Sequence, residues 1–121
     1  MSYLWPLGSQ ARWPAYRREQ EHIADNEPAA WDMGAQEGIP IYASADGVIV
    51  EAFAHALAGY SVVLEGAGYR FHFCHGQALE VSVGRWVKRG EIIGHVGHTG
   101  WTIPAGPEGS HLHFWLEQWA D

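Results

Sequence analysis

From Ile39 onward, short runs rich in β-branched and aromatic residues alternate with glycine-containing turns, and this rhythm constrains the fold more than any other feature of the chain. The runs are Ile39-Tyr42, Gly47-Ala52, Ser61-Glu65, Tyr69-His75, Trp86-Val87, Ile92-Val96 and Leu112-Trp119. They predict an all-β domain, a compact antiparallel β-sheet or β-sandwich whose loops carry the chemistry. Residues 1–38 are rich in Pro, Trp, Arg and Glu without a sustained period. They read as mostly loop, with a short helix near Tyr16 to Ile23 started by Pro14. A chain of 121 residues forms one domain with a single core.

Side chains alternate faces along a strand, so His111 and His113 share one face with Trp115, while Leu112, Phe114 and Leu116 take the other. Two imidazoles aimed at one site from a stiff element can bind one metal ion, or divide metal binding and proton transfer between them. A pair of hydrogen-bonded core or surface histidines is the plain alternative. In Tyr69-His75 the same alternation puts Phe71, Phe73 and His75 on one face and His72 and Cys74 on the other. His75 thus ends an apolar face at the mouth of a site, and His72 is expected to face away from it.

Seven basic against fourteen acidic residues give a formal charge of -7, which argues against nucleic acid or an anionic membrane as the main partner. Eight histidines outnumber the lysines and arginines together, a balance that leans toward a metal site. The single cysteine, Cys74, forms no internal disulfide and reads as a buried thiol. The first residues carry no basic start followed by an apolar run, so no signal peptide is read there, and no stretch approaches the ~20 apolar residues of a membrane span. Action outside a cell would then need another route of release, as for a phage lysis or tail protein or a domain cut from a longer chain.

Taken together, the motifs resemble the lysostaphin/LytM family of zinc endopeptidases, which cut peptide bonds in bacterial peptidoglycan. The similarity runs from about Ala30 to Glu117. Asp32-Met33-Gly34, followed by Gly38-Ile39-Pro40-Ile41-Tyr42-Ala43, resembles the family's ligand aspartate and its Gly-Thr-Pro-Val-x-Ala strand. Ala45-Asp46-Gly47-Val48-Ile49 is similar to the next hairpin, and Phe73-Cys74-His75 to Tyr-Ala-His. Val87 to Gly100 follows the stretch that usually ends Gly-Ser-Thr-Gly, and His111-Leu112-His113-Phe114 matches the terminal His-Leu-His-Phe.

Carried over residue by residue, the resemblance implies Asp32 and His113 as zinc ligands and His75 and His111 as catalytic histidines. Three protein ligands leave zinc an open position for water, whose pKa the metal lowers to about 7. One departure matters. The family's third ligand is a histidine four residues before the aspartate, where this chain has Pro28. His22 is the only histidine upstream of Asp32 and is expected to take its place, with Asp25 and Glu27 as alternative oxygen ligands. Residues 1–29 would then contribute to the site, and residues 30–121 would form the peptidase domain. Trp115 stands where glutamate is common, Ser110 where proline is common, and the link from Trp101 to Glu108 is longer than usual. These changes bear on substrate choice more than on chemistry. His98 lies in a glycine-bounded turn at the expected rim, where it reads as a loop residue within reach of substrate.

The expected function is zinc-dependent hydrolysis of peptidoglycan peptides at the bacterial cell wall, with one zinc per chain and no nucleic-acid or membrane partner. Delivery by a larger virion or cell-wall assembly is also expected. The alternative is a non-catalytic relative that binds the wall or a partner hydrolase, as the substitution at Pro28 would suit. Val83 to Gly94 is similar to the repeat of biotin- and lipoyl-carrier domains, but Gly97-His98-Thr99-Gly100 lacks the lysine a carrier needs.

Overall fold

A computed structural model of the chain describes residues 5–7, 30–102, 106 and 109–118, with the backbone alone at 30–32 and 34. Among the described residues, eight strands run in chain order: β1 (Ala30–Gly34), β2 (Pro40–Tyr42), β3 (Gly47–His55), β4 (Gly59–Gly66), β5 (Tyr69–Gly76), β6 (Trp86–Val87), β7 (Ile92–His95) and β8 (His111–Gln118). Six form one antiparallel sheet in the order β1-β8-β5-β4-β3-β6, and β2 pairs with β7 in a second. The expected all-β architecture is what the chain adopts.

The core lies where period-2 patterning puts it. Phe71 and Phe73 of β5, Leu112 and Phe114 of β8, Val62 and Leu64 of β4 and Ile49 of β3 are buried together. Ile41 and Ile93 from the small sheet, and Val96 just after it, pack against them, as does Leu7, whose segment is tied down by a bond from the Tyr42 N–H to the Pro6 carbonyl (2.7 Å). Phe114 is the hub, with its ring 5.4 Å from Phe73 and 6.3 Å from Phe71. Complete burial of one such aromatic stabilises the fold by roughly 1.5–3 kcal/mol.

One expectation needs correction. The stretch read as loop before residue 39 contains β1, whose five residues pair with β8 from Ala30↔Trp115 to Gly34↔His111. Five residues are too few to establish a period, and pairing with the long strand β8 supplies the order that local sequence does not. The helix expected near Tyr16 to Ile23 lies outside the described residues. β4 and β5 also do not run in simple register. Tyr60 pairs with Gly76 but Val62 with Phe73, so three steps on β5 oppose two on β4. That extra residue is a β-bulge, and its consequence falls on His75.

Candidate functional site

The site lies on the face of the main sheet opposite the core. β8 presents His111 and His113 there, and the register sets Cys74 of β5 opposite His113. Simple alternation would bury His75 with Phe71 and Phe73 on the core side. Instead the bulge and a left-handed backbone at His75 (φ 65°) turn its ring toward the other histidines. The ring centroids of His75 and His111 are 4.7 Å apart and those of His75 and His113 6.3 Å. The expectation that His75 shares a face with Phe73 is therefore overturned. A non-glycine residue in this region costs about 1–2 kcal/mol, and histidine is among the residues that tolerate it best.

Backbone carbonyls fix two of these rings. His75 donates its Nδ1–H to the carbonyl of Thr99 (2.7 Å), and His111 donates its Nδ1–H to that of Gly109 (2.7 Å). With the proton held on Nδ1, the neutral ring carries its lone pair on Nε2. Both imidazoles are buried, so neither orientation is set by solvent. His113 is half-buried.

The loop that holds His75 is itself held. The Thr99 hydroxyl donates to the Gly76 carbonyl (2.6 Å) and accepts from the Tyr60 N–H (3.0 Å). The Gly97 N–H bonds to the His75 carbonyl (3.0 Å), and the Trp101 N–H to that of Leu57 (2.8 Å). A Cβ at Gly97 would press on the backbone of Gln77 and Gly76, and one at Gly100 on that of Gly59 and Leu57. These glycines let the loop backbone lie directly against β5 and the β3–β4 hairpin. Thr99 is thus a site residue that motif reading passed over. Its one signal was the position within Gly97-His98-Thr99-Gly100.

Asp32 sits in β1 at the register position opposite His113. The adjacent strands thus bring the two expected ligands together in the backbone ladder, although they are 81 residues apart (113 − 32). His22, Asp25, Glu27 and Pro28 lie outside the described residues. Among the described residues, no three potential ligand side chains converge on one point. The donor types nevertheless suit zinc: a carboxylate and an imidazole on neighbouring strands, with two further imidazoles whose Nε2 lone pairs are set by their Nδ1 bonds.

The remaining histidines have partners elsewhere. His72 lies on the same sheet face as Cys74, His113 and Trp115, stacked on the Trp115 ring (centroids 3.6 Å, planes 11°) and bonded through Nε2–H to Glu117 (3.1 Å). The expected separation of His72 from His75 by sheet face does not hold, because the bulge brings the His75 ring to His113's side. Burial holds the His72 pKa below its ordinary value, against the opposing pull of Glu117. His98 donates Nδ1–H to Glu37, joining the loop after β1 to the one that holds His75. His95 bonds to Glu80 (2.8 Å), and His55 accepts the Leu57 N–H (3.0 Å).

Residues 27–120 match the profile of Peptidase family M23. The peptidoglycan DD-endopeptidase ShyA of Vibrio cholerae is 37% identical over 86 residues, 70% of this chain and 19% of that protein. The chain therefore spans about a fifth of the length of this curated relative. Among solved structures, a zinc-containing peptidase from Vibrio cholerae superposes with a TM-score of 0.75 at 25% identity, covering 96% of this chain and 36% of that one. The catalytic domain of lysostaphin from Staphylococcus simulans superposes with a TM-score of 0.62 at 33% identity, covering 70% and 62% respectively.

Proposed function

The chain belongs to Peptidase family M23, and on that premise we propose that it is a zinc-dependent endopeptidase hydrolysing peptide bonds of bacterial peptidoglycan at the cell wall. The observation that carries this reading is the cluster of His75, His111 and His113, two of whose rings are locked by Nδ1–H bonds to backbone carbonyls. Each bond fixes the ring's tautomer with the lone pair on Nε2, the form in which an imidazole takes up a proton. The peptidoglycan activity of ShyA and the zinc content of the Vibrio structure support the choice of substrate and metal.

Asp32 and His113, with His22 from the N-terminal segment, would hold one zinc ion per chain, residues 1–29 completing the domain formed by 30–121. Bound zinc supplies Lewis acidity toward a water and toward the scissile carbonyl. The histidines do the rest. The Nε2 lone pair of His111 accepts a proton from the attacking water, and the Gly109 carbonyl stabilises the imidazolium that results. His75 is held alike by Thr99: with a proton taken up from solvent, its Nε2–H can donate to the developing oxyanion or pass that proton to the leaving amine, while His111 returns the water's proton to solvent. Phage origin, and delivery to the wall by a virion or wall assembly, fit the same reading.

The test is digestion of purified sacculi by zinc-loaded protein, with released fragments identified by mass spectrometry. New amino termini in the peptide fraction, abolished by chelator and by His111→Ala, are expected. Sedimentation with sacculi without any release would favour instead a non-catalytic wall-binding role, the reading that Pro28 motivates.

A further inference from the structure

Two residues along β8 from His113, on the same sheet face, the Trp115 and His72 rings stack at 3.6 Å with Glu117 bonded to His72. The row continues through Val63 to Glu51, which stands two strands beyond His72, while Glu117 lies two residues along β8 from Trp115. Glu117 acts on His72 through its hydrogen bond and its charge, and Glu51 more weakly through charge alone. One cation, Arg70, also acts there, but its guanidinium is bonded to Glu65 (3.1 Å). Trp115 and His72 keep part of their surfaces accessible, while Val63, between His72 and Glu51, is buried. A row two residues along a strand lies about 7 Å from its neighbour, the span of roughly two residues of an extended peptide.

A flat indole beside the Glu117 carboxylate favours one ligand chemistry. An ammonium gains from the π-face and from the acid, whereas a carboxylate is repelled. We propose that Trp115, with His72 and Glu117, forms a specificity subsite for a substrate residue bearing a primary ammonium group, one to two residues from the bond that is cut. The proposal rests on the endopeptidase reading for the direction in which substrate lies, but its test does not need turnover. His72 braces the indole and Glu117 braces His72, so His72 acts as a positioning residue.

The experiment compares calorimetric affinities of the full chain for two short peptides ending in D-alanine. They are identical except that the lysine preceding D-alanine is free in one and Nζ-acetylated in the other. The free ammonium is expected to bind about 3- to 30-fold more tightly, the range of a cation–π contact expressed as a ratio of dissociation constants. That preference should fall below about twofold in Trp115→Leu and return in Trp115→Phe, a pattern that general damage to the sheet would not give. If Trp115→Leu does not fold, Glu117→Gln serves, with a reduced preference expected. Equal affinities, no binding of either peptide, or a preference undiminished in the variants would overturn the proposal. Failure to digest sacculi with the preference intact would sink the endopeptidase reading alone.

Discussion

The two faces of the main sheet are built from the same strands and obey different rules. On the core face, Phe71, Phe73, Leu112 and Phe114 follow strict alternation and pack into a dry interior. On the other face, His72, Cys74, His111, His113 and Trp115 also follow the pleat, but His75 joins them only through an inserted residue and a left-handed backbone. The first face is stabilised by area removed from water. The second spends about 1–2 kcal/mol of backbone strain to aim one ring. The contrast separates what holds the sheet together from what the sheet is for.

The sharpest way to break that contrast is to exchange the consequences of mutation on the two faces. His113→Ala should abolish both zinc binding and turnover, whereas His111→Ala should keep the metal and lose about 10²- to 10⁴-fold in kcat. Metal analysis beside kinetics reads both, and zinc retained by an inactive His113→Ala would reassign the ligand. On the core face, Phe114→Ala should cost about 3–5 kcal/mol in denaturant unfolding while leaving kcat per folded molecule within a few fold. A comparable loss of stability in His111→Ala would erase the distinction. Between the faces lies Thr99→Val, which removes two hydrogen bonds to the His75 clasp and leaves the Thr99 carbonyl. About 1–2 kcal/mol of stability and roughly tenfold in kcat should go, with the metal retained.

The smallest effect is a pH slope. Burial lowers the His72 pKa in the folded state, so the unfolded chain takes up a proton first as pH falls below the ordinary value of 6.5. The stability contributed is fully present above pH 6.5 and is lost as pH falls toward the lower folded value. His72→Asn should flatten that part of the stability profile, measured by urea unfolding between pH 7 and pH 5. An unchanged slope would remove His72 as its source.

Most of the sheet was legible because alternation is a local rule: from Ile39 onward each expected strand exists, with ends displaced by a few residues. β1 was not, since Ala30-Trp31-Asp32-Met33-Gly34 gains its extended form from β8, which lies far along the chain. Motif order pointed to His75, His111 and His113 as neighbours, and the fold brings their rings together. The face of His75 was unreadable, because counting by twos assumes that no residue is inserted, and only strand pairing reveals the bulge. The clasp from Thr99 and the Glu37–His98 bond were hidden for a similar reason. They join segments far apart in sequence, and no local pattern encodes them.

β1 lies at the end of the sheet, hydrogen-bonded to β8 and to no other described strand. Edge strands fray before central ones, and the residue this edge carries opposite His113 is Asp32. On the proposed ligand assignment, peeling β1 away would dismantle the centre without unfolding the domain, and an ion gripped across the seam would act as a rivet. Amide protons along β1 would then exchange more slowly in the loaded protein than in the stripped one, while those of β4 and β5 barely noticed the difference.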